Sequence, residues 1–256
     1  MIPVQTLRSG GVEIAFRHTP GKGPLIVFLP GYMSDMGGSK ATALFAWAEA
    51  RGRACLVLDY SGCGESGGDF AEGTLGRWST EVLEVIAAVH PTGCVVLVGS
   101  SMGGWLMLLV ARVLGVRVAG LVGIAAAPDF TEWGYTAAQK ADLAAGRIVL
   151  EDNPYGPDPT PTYPGLWADG QARRQLPGPI PIDAPVRLIH GTDDADVPVE
   201  IAHRLMAGLR SADVQVTLVK GGDHRLSRPT DIALILATVA ALVVPSAAPA
   251  AINASP

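Results

Sequence analysis

Apolar residues along this chain fall into two recurring patterns. Short continuous runs, Leu25–Leu29, Ala54–Leu58, Val95–Val98, Val118–Ala125 and Val186–Ile189, are rich in Val, Leu and Ile. Runs of this length without polar alternation predict strands buried on both faces of a parallel sheet. Between them lie segments whose apolar residues gather on one helical face. The segment 74–90 is the clearest: Leu75, Trp78, Val82, Val85, Ile86 and Val89 line one side, and Thr74 is a suitable N-cap. Helices are also predicted over 39–50 and 105–114. Residues 12–17 alternate, which predicts a strand turning at Pro20-Gly21-Lys22-Gly23.

Strand and helix alternate up to about residue 127, which predicts an α/β fold: a mostly parallel central sheet with helices on both faces. The alternation then stops. From 129 to about 183 one helix is predicted (137–145), followed by a proline-rich stretch beginning Asn153-Pro154-Tyr155-Gly156-Pro157. Long segments of this kind are seldom passive connections, so 129–183 is read as a cap inserted over the carboxyl edge of the sheet. The strand at 186–189, a helix over 200–209, a strand over 214–219 and a helix over 230–243 then complete one domain spanning 1–244. The Ala/Pro/Ser-rich residues 245–256 predict a disordered tail. No internal repeat is found.

Composition narrows the possible functions. A chain of 256 residues can bury a substantial core without staples. Its net charge of −5 and lack of a basic run argue against nucleic acid as a partner. Cys55, Cys63 and Cys94 follow no metal-binding or disulfide spacing and read as buried small hydrophobes in a reducing compartment. No His/Asp spacing supplies three metal ligands on one element, so neither a metal nor another cofactor is expected. The N-terminus carries no secretory pattern, and the apolar run 232–244 is too short to span a bilayer. A cytoplasmic protein without stable membrane insertion is the expectation.

The chemistry is suggested by Gly99-Ser100-Ser101-Met102-Gly103. A strand runs into Gly-x-Ser-x-Gly and a helix follows at once, which is the arrangement of a nucleophile elbow with Ser101 at its apex. A serine hydroxyl needs a base to take its proton, and a histidine oriented by a carboxylate supplies one. Of the five histidines, His18 lies near an N-terminal hairpin, His90 ends a helix and His203 sits within one. His190 opens an acidic loop and suits a structural hydrogen bond. His224, in the Gly-rich loop after the last strand, is the candidate base. For the acid, Asp193, Asp194 and Asp196 crowd one loop and their spacing alone does not separate them. An oxyanion hole would use the N–H of Met102 and that of Tyr32, which follows the strand 25–29 and Gly31. Gly62-Cys63-Gly64-Glu65-Ser66-Gly67 matches a dinucleotide-binding string, but no helix opens at its last glycine, so a tight loop is the better reading.

These residues in the order Ser, Asp, His resemble the α/β-hydrolases. Within them, the stretches Leu29-Pro30-Gly31-Tyr32-Met33-Ser34, Asp59-Tyr60-Ser61-Gly62, Gly99-Ser100-Ser101-Met102-Gly103-Gly104-Trp105, His190-Gly191-x-x-Asp194-x-x-Val197-Pro198 and Asp223-His224-Arg225 are similar to the branch of mitochondrial palmitoyl-protein thioesterases that also hydrolyse acyl glucuronides. The resemblance covers most of 25–235 and implies the α/β-hydrolase fold, with Asp194 as the acid. The cap matches that branch poorly, and no targeting peptide is visible.

The reading is therefore a serine hydrolase that cleaves carboxylic esters or thioesters with an apolar acyl group, through Ser101, His224 and Asp194. Its partner would be a small ester or thioester, or an acylated protein. Trp105 and the cap aromatics Trp133, Tyr135, Tyr155 and Trp167 are candidates to line the acyl pocket. The rival readings are an acyltransferase using the same three residues and a binding module that kept the fold without the chemistry.

Overall fold

A computed structural model describes residues 2–154 and 156–243. The tail at 245–256 and Tyr155 lie outside the described residues. The first half of the chain runs β1 (Gln5–Ser9), β2 (Val12–Thr19), β3 (Lys22–Leu29), α1 (Ser39–Ala50), β4 (Arg53–Leu58), α2 (Leu75–Val89), β5 (Val95–Ser100), α3 (Met102–Leu114) and β6 (Val118–Ile124). After an interruption it resumes with β9 (Val186–Gly191), α7 (Glu200–Gly208), β10 (Val214–Val219) and α8 (Pro229–Val243). The interruption carries α4 (Phe130–Trp133), α5 (Ala137–Ala144), the short strands β7 (Val149–Glu151) and β8 (Thr160–Thr162), and α6 (Pro164–Ala172).

Eight strands form one sheet in the order β1-β2-β4-β3-β5-β6-β9-β10. All pairs from β4 to β10 are parallel; β1 and β2 add an antiparallel edge. The apolar runs divide between the two faces by simple alternation. Leu25, Val27 and Leu29, with Leu56, Leu58, Val95 and Leu97, pack with Leu75, Trp78 and Val82 of α2 and Leu106 and Val110 of α3. Ile26, Phe28, Val57, Val96 and Val98 pack instead with Leu44 and Phe45 of α1 and Ile235 and Val239 of α8. A continuous run was needed because neither face of these strands meets water.

Thr74 caps α2 as its sequence position predicts, accepting from the Arg77 N–H. Helix α3 begins at Met102 rather than at Trp105, because the turn at Ser101 is too tight to leave linking residues. His18 lies in β2, the second strand of the N-terminal β1–β2 hairpin, where it is paired in register with Leu56 of β4 and half-buried. Cys55 and Cys63 are buried, but Cys94 is exposed in the turn before β5, where a small residue needs no core to hold it. The glycine-rich loop 59–68 is organised by the buried Asp59 carboxylate, which accepts the N–H groups of Met36 at 2.6 Å and Glu65 at 2.8 Å. Gly64 has φ +51°, and a Cβ there would lie 2.1 Å from Asp59 Oδ2, so the loop closes only around glycine.

β6 and β9 are parallel neighbours, joined by residues 125–185. Parallel neighbours require a crossover back along the sheet, and the second part of this segment provides it. Ile180 and Ile182 are buried and Ile180 bridges to Leu209. The Asp129 carboxylate receives the N–H groups of Gln175 and Leu176 at 2.7 and 2.8 Å, pinning the start of the segment to its return. Residues of α4 and of the β7–β8 hairpin line a cleft together with Ser101 and His224, which follow the carboxyl ends of β5 and β10, and this inserted segment is termed the cap. Sequence periodicity predicted only one of the cap's helices.

Candidate active site

Ser101 sits between β5 and α3 with φ 54° and ψ −121°, a strained conformation for a residue bearing a Cβ. Its backbone is fixed on both sides. The N–H donates to the Ile124 carbonyl at 2.9 Å, and the carbonyl accepts from Gly104 at 2.8 Å and Ala127 at 3.0 Å. The turn also demands small neighbours. A Cβ on Gly103 would lie 2.1 Å from the Leu29 carbonyl oxygen, so α3 approaches β3 more closely than any other residue would allow.

His224 lies in the loop after β10. Arg228 holds this loop by donating to the Gly221 carbonyl at 3.0 Å while pairing with the Asp231 carboxylate at 2.8 Å. His224 Nε2 is 3.0 Å from Ser101 Oγ, and Nδ1 is 2.9 Å from Asp194 Oδ2. Ser101, His224 and Asp194 therefore form a continuous hydrogen-bonded chain. Asp193 and Asp196 do not take the place of Asp194. Asp193 accepts from the Thr192 hydroxyl, and Asp196 Oδ2 lies 3.9 Å from the other imidazole nitrogen, Nε2.

Burial opposes ionisation of Asp194, but hydrogen bonds from His190 and His224, the His224 charge and the Val197 N–H outweigh it. Together they hold its carboxyl well below the ordinary carboxylate range. It therefore stays anionic next to His224. His190 makes the buried hydrogen bond its position suggests, with Nε2 at 2.9 Å from the Val197 carbonyl oxygen.

Beside the serine, the loop after β3 passes close: a Cβ on Gly31 would be 3.3 Å from Ser101 Cβ. The Tyr32 N–H follows this contact, and Met102 is the first residue of α3, whose N–H has no intrahelical acceptor. Both residues line the cleft that contains Ser101. The Tyr32 ring packs on Phe70 at 5.0 Å and on Phe130 at 6.1 Å, and its hydroxyl donates to the Pro161 carbonyl of β8 at 2.8 Å. Burial raises its pKa above the ordinary tyrosine value.

The cleft, of about 650 Å³, has the size of a small-molecule site. Phe130, Trp133 and Tyr135 of the cap form an aromatic wall on one side; Lys40, Asp196 and Arg225 bring charge to the rim. The Tyr135 hydroxyl is hydrogen-bonded to Thr162 Oγ1 at 2.6 Å, and burial pushes the tyrosine hydroxyl up to about 12.

Two predicted lining residues are elsewhere. Trp105 points into the core, fully buried, its Nε1–H donating to the Arg173 carbonyl at 3.3 Å and its ring edge-on to Phe130. It faces inward because α3 buries that side beneath α6. Trp167 of α6 donates to the Thr131 carbonyl at 3.1 Å and braces α6 against α4, away from the cleft. Phe130, by contrast, lines the cleft and drew no notice in the sequence, since a lone aromatic in an aperiodic stretch carries no signal. Among the described residues, no group of three His, Cys, Asp or Glu side chains is placed to hold a metal ion.

A model of the alpha/beta hydrolase family matches residues 26–233. The chain belongs to the α/β-hydrolase family. This α/β hydrolase is 37% identical over 241 residues to the mouse protein named palmitoyl-protein thioesterase ABHD10, mitochondrial, with 92% of this chain and 80% of the relative covered. Among solved structures, a putative hydrolase from Agrobacterium vitis superimposes with a TM-score of 0.88 at 37% identity, covering 95% of this chain and 99% of its own. The mouse alpha/beta hydrolase domain-containing protein 10 gives 0.87 at 33% identity, covering 94% and 98%. The relative's name places it in mitochondria, which lends no support to a cytoplasmic location for this hydrolase. Among the described residues, no helix is long and apolar enough to cross a membrane.

Proposed function

We propose that this hydrolase cleaves carboxylic esters or thioesters with an apolar acyl group, using Ser101 as nucleophile, His224 as base and Asp194 as its orienting acid. The observation that carries the proposal is the chain from Ser101 Oγ through His224 to Asp194, with links of 3.0 and 2.9 Å. The similarity to a named palmitoyl-protein thioesterase supports the acyl chemistry.

His224 takes the Ser101 proton as the oxygen attacks the acyl carbonyl, and Asp194 stabilises the imidazolium that forms. The N–H groups of Tyr32 and Met102 receive the developing oxyanion; each such donor is worth about 10²- to 10³-fold in rate. The imidazolium then gives its proton to the departing alcohol or thiol. Water attacks the acyl-enzyme by the same route in reverse and regenerates Ser101. Phe130, Trp133 and Tyr135 offer an apolar surface for the acyl group. The substrate is a small ester or thioester, or an acylated protein.

Reaction with a fluorophosphonate probe tests the reading. The wild-type protein is labelled and Ser101→Ala is not; an unlabelled wild type overturns the proposal. A panel of oxygen esters and thioesters of graded chain length then fixes the acyl preference.

A further inference from the structure

The carboxylate of Asp194 is shared by two histidines. Its Oδ2 lies 2.9 Å from His224 Nδ1 and 3.3 Å from His190 Nε2. His190 is next to last in β9 and only 1% exposed, and the same Nε2 is 2.9 Å from the Val197 carbonyl oxygen. Both neighbours of that nitrogen are acceptors, so Nε2 carries the proton and its single N–H forks between them. On the other side, Asp194 Oδ1 accepts the N–H groups of Asp196 at 3.0 Å and Val197 at 2.9 Å. The carboxylate thus meets four donors, about as many as its lone pairs can accept. Only one of them, His224 Nδ1, belongs to the proposed proton-transfer chain.

We propose that His190 is a positioning residue for the reaction: it holds Asp194 Oδ2 in line with His224 Nδ1 and draws off part of the carboxylate's charge, thereby setting how basic His224 is. The inference rests on the reading of Ser101, His224 and Asp194 given above. The other charged groups near His224 are Asp196, whose Oδ2 is 3.9 Å from Nε2, and its chain neighbours Asp223, whose Oδ1 accepts the Leu226 N–H, and Arg225. Lys40 is bound to the Arg225 carbonyl at 2.5 Å. The side-chain nitrogens that meet Asp194 Oδ2 are His224 Nδ1 and His190 Nε2, so His190 supplies a donor to the same oxygen that orients His224. Removing it leaves more negative charge facing His224 Nδ1, which stabilises the imidazolium and moves the titration of His224 to higher pH.

The test is the rate of Ser101 labelling by a fluorophosphonate between pH 4.5 and 8.5, which needs neutral His224 but no knowledge of the natural substrate. In His190→Leu the acid limb moves up by about half a unit to one unit, so labelling well below the limb falls about 3- to 10-fold while the alkaline plateau changes less. His190→Gln, whose amide N–H reaches the position of Nε2, returns the limb towards wild type; His190→Asn, whose amide reaches only as far as Nδ1, does not. That second pair decides the matter if His190→Leu does not fold. An acid limb unmoved in both the Leu and Asn variants, with only a lower melting temperature, overturns the inference and leaves His190 purely structural. An unlabelled wild type would instead overturn the reading of the site itself.

Discussion

The Tyr32 hydroxyl donates to the Pro161 carbonyl at 2.8 Å, so the residue whose backbone N–H faces the cleft beside Ser101 also ties the core to the cap hairpin. Tyr32→Phe keeps the ring contacts with Phe70 and Phe130 but loses this bond. The expected loss is about 1 kcal/mol, or about 2–4 °C in melting temperature. Because the hairpin forms part of the cleft wall, KM should rise more than kcat falls. Steady-state kinetics with a p-nitrophenyl ester would show neither change if Tyr32 acts through its backbone alone.

Asp194→Asn retains the side chain's size but presents an amide to two histidines. The rate is expected to drop by about 10²- to 10⁴-fold. Asp193→Asn, whose carboxylate meets Thr192 rather than His224, should stay close to wild type. Comparable losses in both variants would show that the loop matters as a whole and not through one carboxylate.

Gly103→Ala places a Cβ 2.1 Å from the Leu29 carbonyl oxygen and 2.5 Å from that of Pro30. Both are backbone atoms and neither can move aside. The variant should be destabilised by about 3 kcal/mol or more, visible as a large fall in the midpoint of chemical unfolding.

Trp105 and Trp133 should behave differently when cut to alanine. Trp105→Ala empties a fully buried site and should lose about 3–5 kcal/mol of stability. Trp133→Ala removes part of the cleft wall, so its main effect should be on KM for substrates with larger acyl groups. Equal stability losses would place Trp133 in the core as well.

His18 gives the fold a pH dependence remote from the cleft. Burial, and then the nearby His90, lower its pKa below the ordinary 6.5. The unfolded chain therefore binds this proton more readily than the folded one. The stabilising contribution is full above pH 6.5 and is lost as pH falls through the lowered value. Thermal melts at pH 7.5 and 5.0 should show a larger acid drop for wild type than for His18→Gln. An equal drop would place the acid sensitivity at other groups.

The strands were readable because their chemistry is repetitive. Leu25–Leu29 and Val95–Val98 are apolar at every position, and a strand covered on both faces permits nothing else. Ser101 and His224 were readable because each stands at a fixed place in the chain relative to a strand. Asp194 was not separable from Asp193 and Asp196 by spacing, and only the resemblance singled it out; side chains within three positions of one another on one loop differ by direction, which a sequence does not express. The cap was least legible. β7 and β8 are three residues each, too short for a period, and α6 opens with proline and two glycines within its nine residues. Trp105 and Trp167 misled for a related reason: an aromatic near the nucleophile has the same composition signal whether it faces the cleft or the core.

The segment between β6 and β9 carries two duties that divide along its length. Residues 173–185 are the return path that two parallel neighbours cannot do without, and Ile180 and Ile182 are built into the core beneath it. The described residues between Gly134 and Tyr163 form an excursion with its own two-stranded sheet, apart from the main one, and contribute to the cleft wall through Tyr135, Glu151, Thr160 and Thr162. A lineage can therefore rewrite what the protein accepts by exchanging that one excursion, leaving the route by which the chain completes its sheet untouched. An engineer grafting a foreign cap would cut at the same two places.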